Sequence, residues 1–357
     1  MKTRKLQSVG TALLLMLFLC TNLLWAENQE ITRKKEYSQS FAARPDNNLF
    51  LSSKYGNITI THWKKDEVAF RVVVESKARN EQQAQRILER VQIILKKKED
   101  KTIMGLTEVR SITEFNNANF SINYYISMPS WMTTNIEQKY GNIQMPELNK
   151  GLCSIEIKYG NLEAGNFTQP LQLNAKYSNV TLGYLAGGNL DLAYSGSAFV
   201  DGADELTIDS KYSNLQVNKI GDLTIKNKYG QLRIKEVNTL NASIKYSEVK
   251  IGYLERKLDC ESLDYSNIDI TKADAKFDYI AVDSQYGNLY VGLPASASFK
   301  VKADDIAYGD CDVSRRFKDT HREKHDDSDY YEINNGRNGR IEFDGGGYGK
   351  LVIGVSE

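Results

Sequence analysis

The sequence has little cysteine, and the cysteines it has are scattered. Only four are present in 357 residues. Beyond Cys20, the remaining Cys153, Cys260 and Cys311 lie far apart and form no Cys-x-x-Cys pair, which argues against a disulfide framework. Each lies at or near a position that other repeats fill with Leu, Ile or Val. We therefore expect three buried thiols that pack as small apolar side chains.

Histidine is equally scarce, with His62, His321 and His325 the only three. His321 and His325 are four residues apart, but the order His-Arg-Glu-Lys-His matches neither of the helical zinc motifs. Residues 326–329 are acidic, yet they lack the glycine and the terminal glutamate of an EF-hand loop. The sequence predicts no metal centre and no cofactor.

Net charge is also absent, because 46 basic and 46 acidic residues cancel. No long-range field therefore attracts nucleic acid or an anionic membrane, and binding of a polyanion would have to be local. Residues 1–26 carry three early basic residues, an apolar stretch over 11–26 and a final Ala26. This pattern is typical of a signal peptide, so we expect export to the periplasm, the cell surface or the medium, with no membrane span after cleavage. An uncleaved anchor and lipidation of Cys20 are the alternatives, although Leu19 is bulky for the position before the cysteine of a lipoprotein signal, which is usually Gly, Ala or Ser.

What the sequence does contain is a repeat marked by tyrosine. From Tyr140 to Tyr308, nine consecutive spacings lie between 17 and 22 residues, and the text around them recurs as KYGN or KYSN. The marked residues are Tyr55, Tyr140, Tyr159, Tyr177, Tyr194, Tyr212, Tyr229, Tyr246, Tyr265, Tyr286, Tyr308 and Tyr348. Such regular self-similarity is typical of repeat architectures.

Each repeat predicts two short strands joined at the tyrosine. Apolar residues recur three and five positions after the tyrosine, as in Leu215 and Val217, and six and four positions before it, as in Leu206 and Ile208. A period of two with branched residues indicates strands with one buried face. Gly, Ser and Asn after the tyrosine suit a tight corner. The sequence therefore predicts an all-β solenoid with rungs of about 18 residues, stacked in parallel.

Two stretches interrupt the repeat. Residues 80–95 have apolar side chains at helical spacing and predict an amphipathic helix, either a cap over the open end of the solenoid or an insertion. Residues 315–329 are almost entirely charged and predict a solvated loop. The expected organisation is a signal peptide at 1–26, an N-terminal β segment at 27–135 and solenoid repeats at 136–357.

The residue before the tyrosine is usually lysine. We expect Tyr159, Tyr177, Tyr212 and Tyr229 to stack in register and to bury aromatic area. The lysines would then form an outward stripe that could bind an anionic polysaccharide or an envelope protein. The candidate ligand surface is Lys139, Lys158, Lys176, Lys211, Lys228 and Lys245, with Lys54 in the same position of an earlier repeat. The alternative is that these lysines only keep an edge-rich protein from aggregating.

A search for catalytic groups finds one candidate pair. Asp191 and Asp209 occupy the outward position three residues before the tyrosine, and Lys226 follows in the next rung. Two carboxylates about 5 Å apart suit a calcium site or a retaining glycosidase. Alternating charge on neighbouring strands is, however, ordinary cross-strand balancing. We predict no catalytic residues.

With these motifs, the chain resembles adhesin-like families of exported bacterial proteins, often found in the Bacteroidetes, that are grouped with pectin-lyase-like right-handed β-helices. The likeness includes the entry FLSSKYGNITI and the YGN-type corners. It implies a right-handed, single-stranded β-helix and a non-catalytic role in adhesion or scaffolding. A polysaccharide lyase or hydrolase, and a periplasmic partner in envelope sensing that binds through residues 315–329, are the alternative functions.

Overall fold

The computed structural model describes residues 30–110 and 119–356. Within these ranges the chain forms 29 β-strands and one α-helix, so the fold is all-β as predicted. The expected signal peptide and Cys20 lie outside the described residues. The chain divides into two compact units. Of the described residues, one unit comprises 30–36, 73–92, 108–110 and 119–121, and the other comprises 37–72, 93–107 and 122–356.

The smaller unit contains the helix, α1 (Glu81–Glu89). The side chain of Asn80 caps it by accepting a hydrogen bond from the backbone N–H of Gln83 at 2.8 Å. Ala84 and Ile87 are buried against Ala78 on one face of the helix. The amphipathic pattern seen in the sequence therefore does correspond to a helix with one apolar face.

The helix is shorter than the predicted range of 80–95. It ends at Glu89, and a strand follows at once, β5 (Val91–Lys97). Val91, Ile93 and Ile94 are β-branched and so favour the extended conformation over another turn of helix. The proposed role of the helix as a cap over the solenoid stays a prediction.

The larger unit is a stack of parallel rungs, each contributing one strand before its tyrosine and one after it. One row of parallel strands begins with β6 (Thr102–Val109), which pairs with β2 (Asn48–Lys54). From β2 onward this row consists of the strands before the tyrosines, in the order β2, β8 (Thr133–Lys139), β11 (Cys153–Lys158), β14 (Leu171–Lys176), β16 (Gly188–Ala193), β17 (Ala198–Lys211), β18 (Leu215–Lys228), β19 (Gln231–Lys245), β20 (Glu248–Asp264), β22 (Tyr279–Gln285), β28 (Gly339–Asp344) and β24 (Phe299–Asp304). The strands after the tyrosines form a second row, which includes the first halves of β17 to β20. Its other members are β3 (Ile58–Trp63), β9 (Ile143–Gln144), β12 (Asn161–Ala164), β15 (Asn179–Leu185), β21 (Asn267–Ala273), β23 (Asn288–Leu293), β29 (Lys350–Val355) and β25 (Asp310–Val313). β7 (Asn119–Pro129) pairs with β3 at the start of this row. The remaining strands are β1 (Ile31–Ala42), β4 (Glu67–Ala78), β10 (Leu148–Asn149), β13 (Asn166–Phe167), β26 (Asp319–Lys324) and β27 (Asp329–Ile333).

The interior of the rungs is filled by the positions that the sequence pattern predicts. Leu206, Ile208, Leu215 and Val217 are each no more than 2% exposed. They align with their counterparts in the next rung, as Leu206 does with Leu223. Because every rung supplies the same inward positions, the core is one continuous apolar column, which confirms the predicted solenoid repeat.

The rungs do not follow one another in chain order at the C-terminal end. β22 and β23, which flank Tyr286, pair with β28 and β29 rather than with β24 and β25. The last strands of the chain therefore lie between the rung of Tyr286 and that of Tyr308. The spatial order of the last rungs therefore differs from their order in the sequence.

The charged segment 315–329 is not the loop that we expected. Residues Asp319–Lys324 form β26, which pairs with β27 (Asp329–Ile333) in an antiparallel hairpin. β27 in turn pairs with β24 at the end of the rungs. All six residues of β26 are exposed. Among the described strands β26 pairs only with β27, and neither of its faces is buried, so it needs no apolar side chains. Its charges discourage pairing with other chains. Its sequence therefore resembles that of a loop.

Candidate functional site

Twelve tyrosines form one continuous stack along the corner of the rungs, which we name the tyrosine column. Neighbouring rings have centroids 4.7 to 5.3 Å apart and planes within 19° of parallel. In spatial order the column is Tyr55, Tyr140, Tyr159, Tyr177, Tyr194, Tyr212, Tyr229, Tyr246, Tyr265, Tyr286, Tyr348 and Tyr308. Even Tyr194 stacks on both neighbours, although its rung has Ser197 where other rungs have an apolar residue. The predicted stacking of the tyrosines in register is confirmed.

The tyrosines lie outside the corner, and the prediction that they are buried is wrong. Tyr159, Tyr177, Tyr212 and Tyr229 are 46 to 50% exposed. The reason is the backbone, since the first ten tyrosines of the column, Tyr55 to Tyr286, have φ between 49° and 63°. This left-handed turn directs the side chain outward while the residues on either side continue inward. The rings cover one another's faces, so the column presents ring edges and hydroxyl groups to solvent.

The residues after the tyrosine tie successive rungs together. The backbone N–H of Asn161 donates to Oδ1 of Asn142 at 2.9 Å, and the N–H of Asn142 donates to Oδ1 of Asn57 at 3.0 Å. At Gly160 the rungs approach so closely that an added Cβ would lie 1.9 Å from the carbonyl oxygen of Gly141. The Tyr-Gly/Ser-Asn motif is therefore the signature of a corner in which each asparagine supports the rung above it.

The lysines before the tyrosines stack in register, which we name the lysine column. Lys139, Lys158 and Lys176 align on adjacent strands, and so do Lys211, Lys228 and Lys245. Lys54 extends the first group, and Ala193 separates the two. Neighbouring parallel strands are about 4.8 Å apart, so the lysine side chains start from backbone positions at this spacing.

Carboxylates relieve part of the repulsion within this column. Lys158 pairs with Glu156 at 2.6 Å, Lys211 with Asp209 at 3.2 Å and Lys245 with Asp264 at 2.5 Å. The hydrogen bond that Lys158 donates to Glu156 raises the pKa of Lys158 above its usual value. Four lysines of the column have no carboxylate within 4 Å in the described part of the chain, namely Lys54, Lys139, Lys176 and Lys228.

The structure also places the other residues that the sequence analysis singled out. Asp191 aligns with Asp209, and Asp209 aligns with Lys226, as predicted, but Asp209 is held by Lys211. Nδ1 of His62 lies 3.0 Å from the carbonyl oxygen of Leu148, and burial lowers the pKa of His62. Nε2 of His321 lies 2.7 Å from Oε1 of Glu323. Over residues 30–110 and 119–356, no three His, Cys, Asp or Glu side chains are grouped so that they could hold a metal ion.

Sequence reasoning missed an acidic cleft near the C-terminal end of the same outward face. It has a volume of about 380 Å³, and its lining includes Asp283, Asp304 and Asp344. Asp344 aligns with both other residues on adjacent strands. Burial and the charges of Asp344 and Asp264 raise the pKa of Asp283. In the sequence, the only indication of this cleft is Asp283, the acidic residue three positions before Tyr286. The pairing of Asp283 with Asp344 could not be predicted, because the two residues are far apart in sequence.

The fold and these columns define a parallel β-solenoid repeat protein with an outward-facing ladder of tyrosine and lysine. The chain belongs to the Toastrack DUF4097 family, whose model matches residues 47–339. No curated protein matches the sequence. In the described part of the chain, no helix has the length and apolar character needed to cross a membrane.

Three solved structures illustrate what the chain is similar to. A "putative adhesin" from Bacteroides fragilis is 14% identical, with a TM-score of 0.33, over 63% of this chain and 95% of that one. A "putative adhesin" from Parabacteroides distasonis is 12% identical, with a TM-score of 0.30, over 73% of this chain and 90% of that one. A "putative lipid binding protein" from Parabacteroides distasonis is 9% identical, with a TM-score of 0.28, over 89% of this chain and 97% of that one.

Proposed function

We propose that this chain is an exported, non-catalytic, adhesin-like scaffold whose lysine column binds an anionic polysaccharide of the envelope or its surroundings. The observation that carries the proposal is the alignment of Lys139, Lys176 and Lys228 on one outward face, where none of the three has a carboxylate within 4 Å in the described part of the chain. Export is supported by the signal-peptide pattern of residues 1–26. The right-handed, pectin-lyase-like type of coil is also part of the proposal and is supported by the parallel rungs of 17 to 22 residues.

A linear polyanion suits this surface better than a compact metabolite does. The column repeats a positive charge at intervals of one or two strand spacings, about 5 to 10 Å, along most of the rungs. Each lysine is followed in sequence by a tyrosine of the tyrosine column, so a row of phenolic hydroxyl groups runs beside the charges. Cations and hydroxyl groups together can bind carboxylate and hydroxyl groups of an acidic glycan chain.

The tyrosine column makes such a surface rigid. Because the rings of Tyr177, Tyr194 and Tyr212 stack within 9° of parallel, neighbouring rungs cannot shift without separating them. The asparagine hydrogen bonds add a second constraint between the rungs of Asn142 and Asn161. A ligand that spans several rungs therefore meets charges whose spacing is already fixed, which lowers the entropic cost of binding.

The test is binding of polygalacturonate, with neutral dextran as the control polymer, measured by biolayer interferometry at rising salt. The variant Lys139→Gln/Lys176→Gln/Lys228→Gln should lose most of the affinity for polygalacturonate. Affinity of the parent should fall steeply as salt rises, because several screened contacts act together. Dextran should not bind to the column in either protein.

The matched control removes the same net charge from another outward face. Lys219, Lys235 and Lys250 are exposed and lie on the strands after the tyrosines. Their triple glutamine variant should keep the affinity of the parent. Equal losses in the two triple variants would show that only net charge matters. If the parent does not bind polygalacturonate but captures an envelope protein, the partner class is wrong.

A further inference from the structure

The tyrosine column ends in a ring with one uncovered face. Among the residues that the structure describes, Tyr308 stacks only on Tyr348, with centroids 5.2 Å apart and planes at 19°. Tyr308 is 77% exposed, whereas the other members of the column are 37 to 54% exposed. Unlike the rings inside the column, Tyr308 therefore offers an aromatic face, and not only an edge, to a ligand.

Tyr308 also lines a cleft of about 650 Å³ at the end of the rungs. The lining consists of Ala307, Tyr308, Lys324, His325, Asp326 and Asp327. Clefts of about 300 to 1,000 Å³ are common for small ligands. The cleft brings together an aromatic face, two carboxylates and an imidazole from two separate parts of the chain.

Hydrogen bonds fix the two sides of this cleft. The turn between β26 and β27 is closed by the N–H of His325, which donates to the carbonyl oxygen of Ser328 at 2.9 Å. The N–H of Ile306 donates to the carbonyl oxygen of Asp327 at 3.0 Å, which joins that turn to the segment before Tyr308. The turn is therefore held beside the tyrosine by the backbone itself, without help from a ligand.

The charges of the cleft differ from those of the lysine column. Lys324 is paired with the buried Asp329 at 2.8 Å, so its charge is already matched. Asp326 and Asp327 then leave the cleft acidic, which disfavours a polyanion. Carboxylates accept hydrogen bonds from hydroxyl groups, and the electron-rich face of a tyrosine ring attracts the weakly positive C–H groups of a sugar.

We propose that this cleft is a second binding site, specific for a neutral pyranose whose ring stacks on the open face of Tyr308. The hydroxyl groups of the sugar donate to the carboxylates of Asp326 and Asp327, and His325 lies beside them as a further polar group. The site is separate from the lysine column and does not depend on the function proposed for that column.

Saturation-transfer difference NMR on the full chain tests the site with three probes at millimolar concentration. These are the methyl pyranosides of β-glucose, β-galactose and α-mannose. At least one should receive saturation, strongest on the C–H protons of one ring face. Tyr308→Ala should weaken binding of that probe roughly tenfold, the effect of losing about 1.4 kcal/mol of stacking. Asp326→Asn/Asp327→Asn should weaken it as well.

Two variants separate a binding site from a loss of folding. Tyr308→Phe keeps the aromatic face and should bind as the parent does. Tyr229→Ala removes a ring from the middle of the column and should also bind as the parent does, since the end of the column is unchanged. Absence of saturation transfer to all three probes, or equal transfer in Tyr308→Ala, overturns the proposal. A concentration-dependent dimer that Tyr308→Ala abolishes would assign the open face to a second copy of the chain instead.

Discussion

Tyr212 and Tyr229 stack with ring centroids 4.7 Å apart and planes at 6°, although both residues have a left-handed backbone. Their φ angles are 51° and 57°. A side chain in this region costs roughly 1 to 2 kcal/mol relative to the right-handed region. Each stacked pair contributes about 0.5 to 1.5 kcal/mol beyond area burial. Since each inner tyrosine stacks on two neighbours, the column can offset the strain that its own corners impose.

The first prediction separates these two effects at Tyr212. Tyr212→Ala loses both stacked contacts and keeps the strained φ, so it should lower the free energy of unfolding by about 2 kcal/mol. Tyr212→Gly loses the same contacts but adopts positive φ without strain, so it should be about 1 kcal/mol more stable than Tyr212→Ala. Urea unfolding followed by circular dichroism measures both values. Tyr212→Phe is the control and should stay close to the parent.

Equal stabilities of the alanine and glycine variants would contradict the assignment of strain to the tyrosine backbone. A loss below about 0.5 kcal/mol in all the variants would mean that the stacked rings add nothing to stability. The role of the tyrosine column would then be the surface that it presents, and not the stability of the fold.

The second prediction concerns the spacing of the rungs at the corner. Gly160→Ala would place a Cβ 1.9 Å from the carbonyl oxygen of Gly141, so the two rungs would have to separate. We expect a loss of about 2 to 3 kcal/mol in the free energy of unfolding, in the range of overpacked sites. Gly354→Ala is the matched control, since an added Cβ at Gly354 has nothing within 4 Å. If both variants unfold at the same urea concentration, close rung contact is not what selects glycine at this corner.

The third prediction concerns the three buried cysteines. Burial raises the pKa of Cys153 to about 11 and those of Cys260 and Cys311 to about 12. Because the thiolate is the reactive form, none of the three should react with iodoacetamide in the folded protein at about pH 8. In urea all three should react. Mass spectrometry of the digested protein reads each site separately, and modification of Cys260 before unfolding would contradict its place in the core.

The parts of the fold that were predictable from sequence depend on local periodicity. The inward positions of Leu206 and Ile208, the outward lysines and the corner at Asn142 follow from a period of two broken by turn residues. The register between neighbouring rungs is also predictable from sequence, because a shift by one residue would expose all the inward apolar side chains of a strand. These features repeat in most rungs, so many copies of the pattern point to the same answer.

The parts that were not predictable depend on non-local or conformational choices. The outward direction of Tyr212 is set by its positive φ, which is unusual for tyrosine. The insertion of β28 beside β22 brings Asp283 and Asp344 together over a long sequence separation. β26 was mistaken for a loop because an exposed edge strand lacks the apolar alternation on which strand prediction rests.

The last prediction follows from that non-local pairing in the acidic cleft. Asp283 aligns with Asp344 on the neighbouring strand, and burial together with the charges of Asp344 and Asp264 raises the pKa of Asp283 above its usual value of 3.8. The folded state therefore disfavours the charged form of Asp283. This cost is fully present above the pKa of the folded state and disappears as the pH falls below the pKa of the unfolded state.

Asp283→Asn should accordingly raise the melting temperature near neutral pH and leave it unchanged at about pH 3, where the carboxyl is protonated in both states. Asp344→Asn should also stabilise the protein near neutral pH. Because the two variants relieve the same repulsion, the double variant should gain less than the sum of the single gains. Differential scanning calorimetry of the parent and the three variants at both pH values measures the melting temperatures for this double-mutant cycle. A gain for Asp283→Asn that persists unchanged at low pH, or strictly additive gains, would show that repulsion between these carboxylates is not the cause.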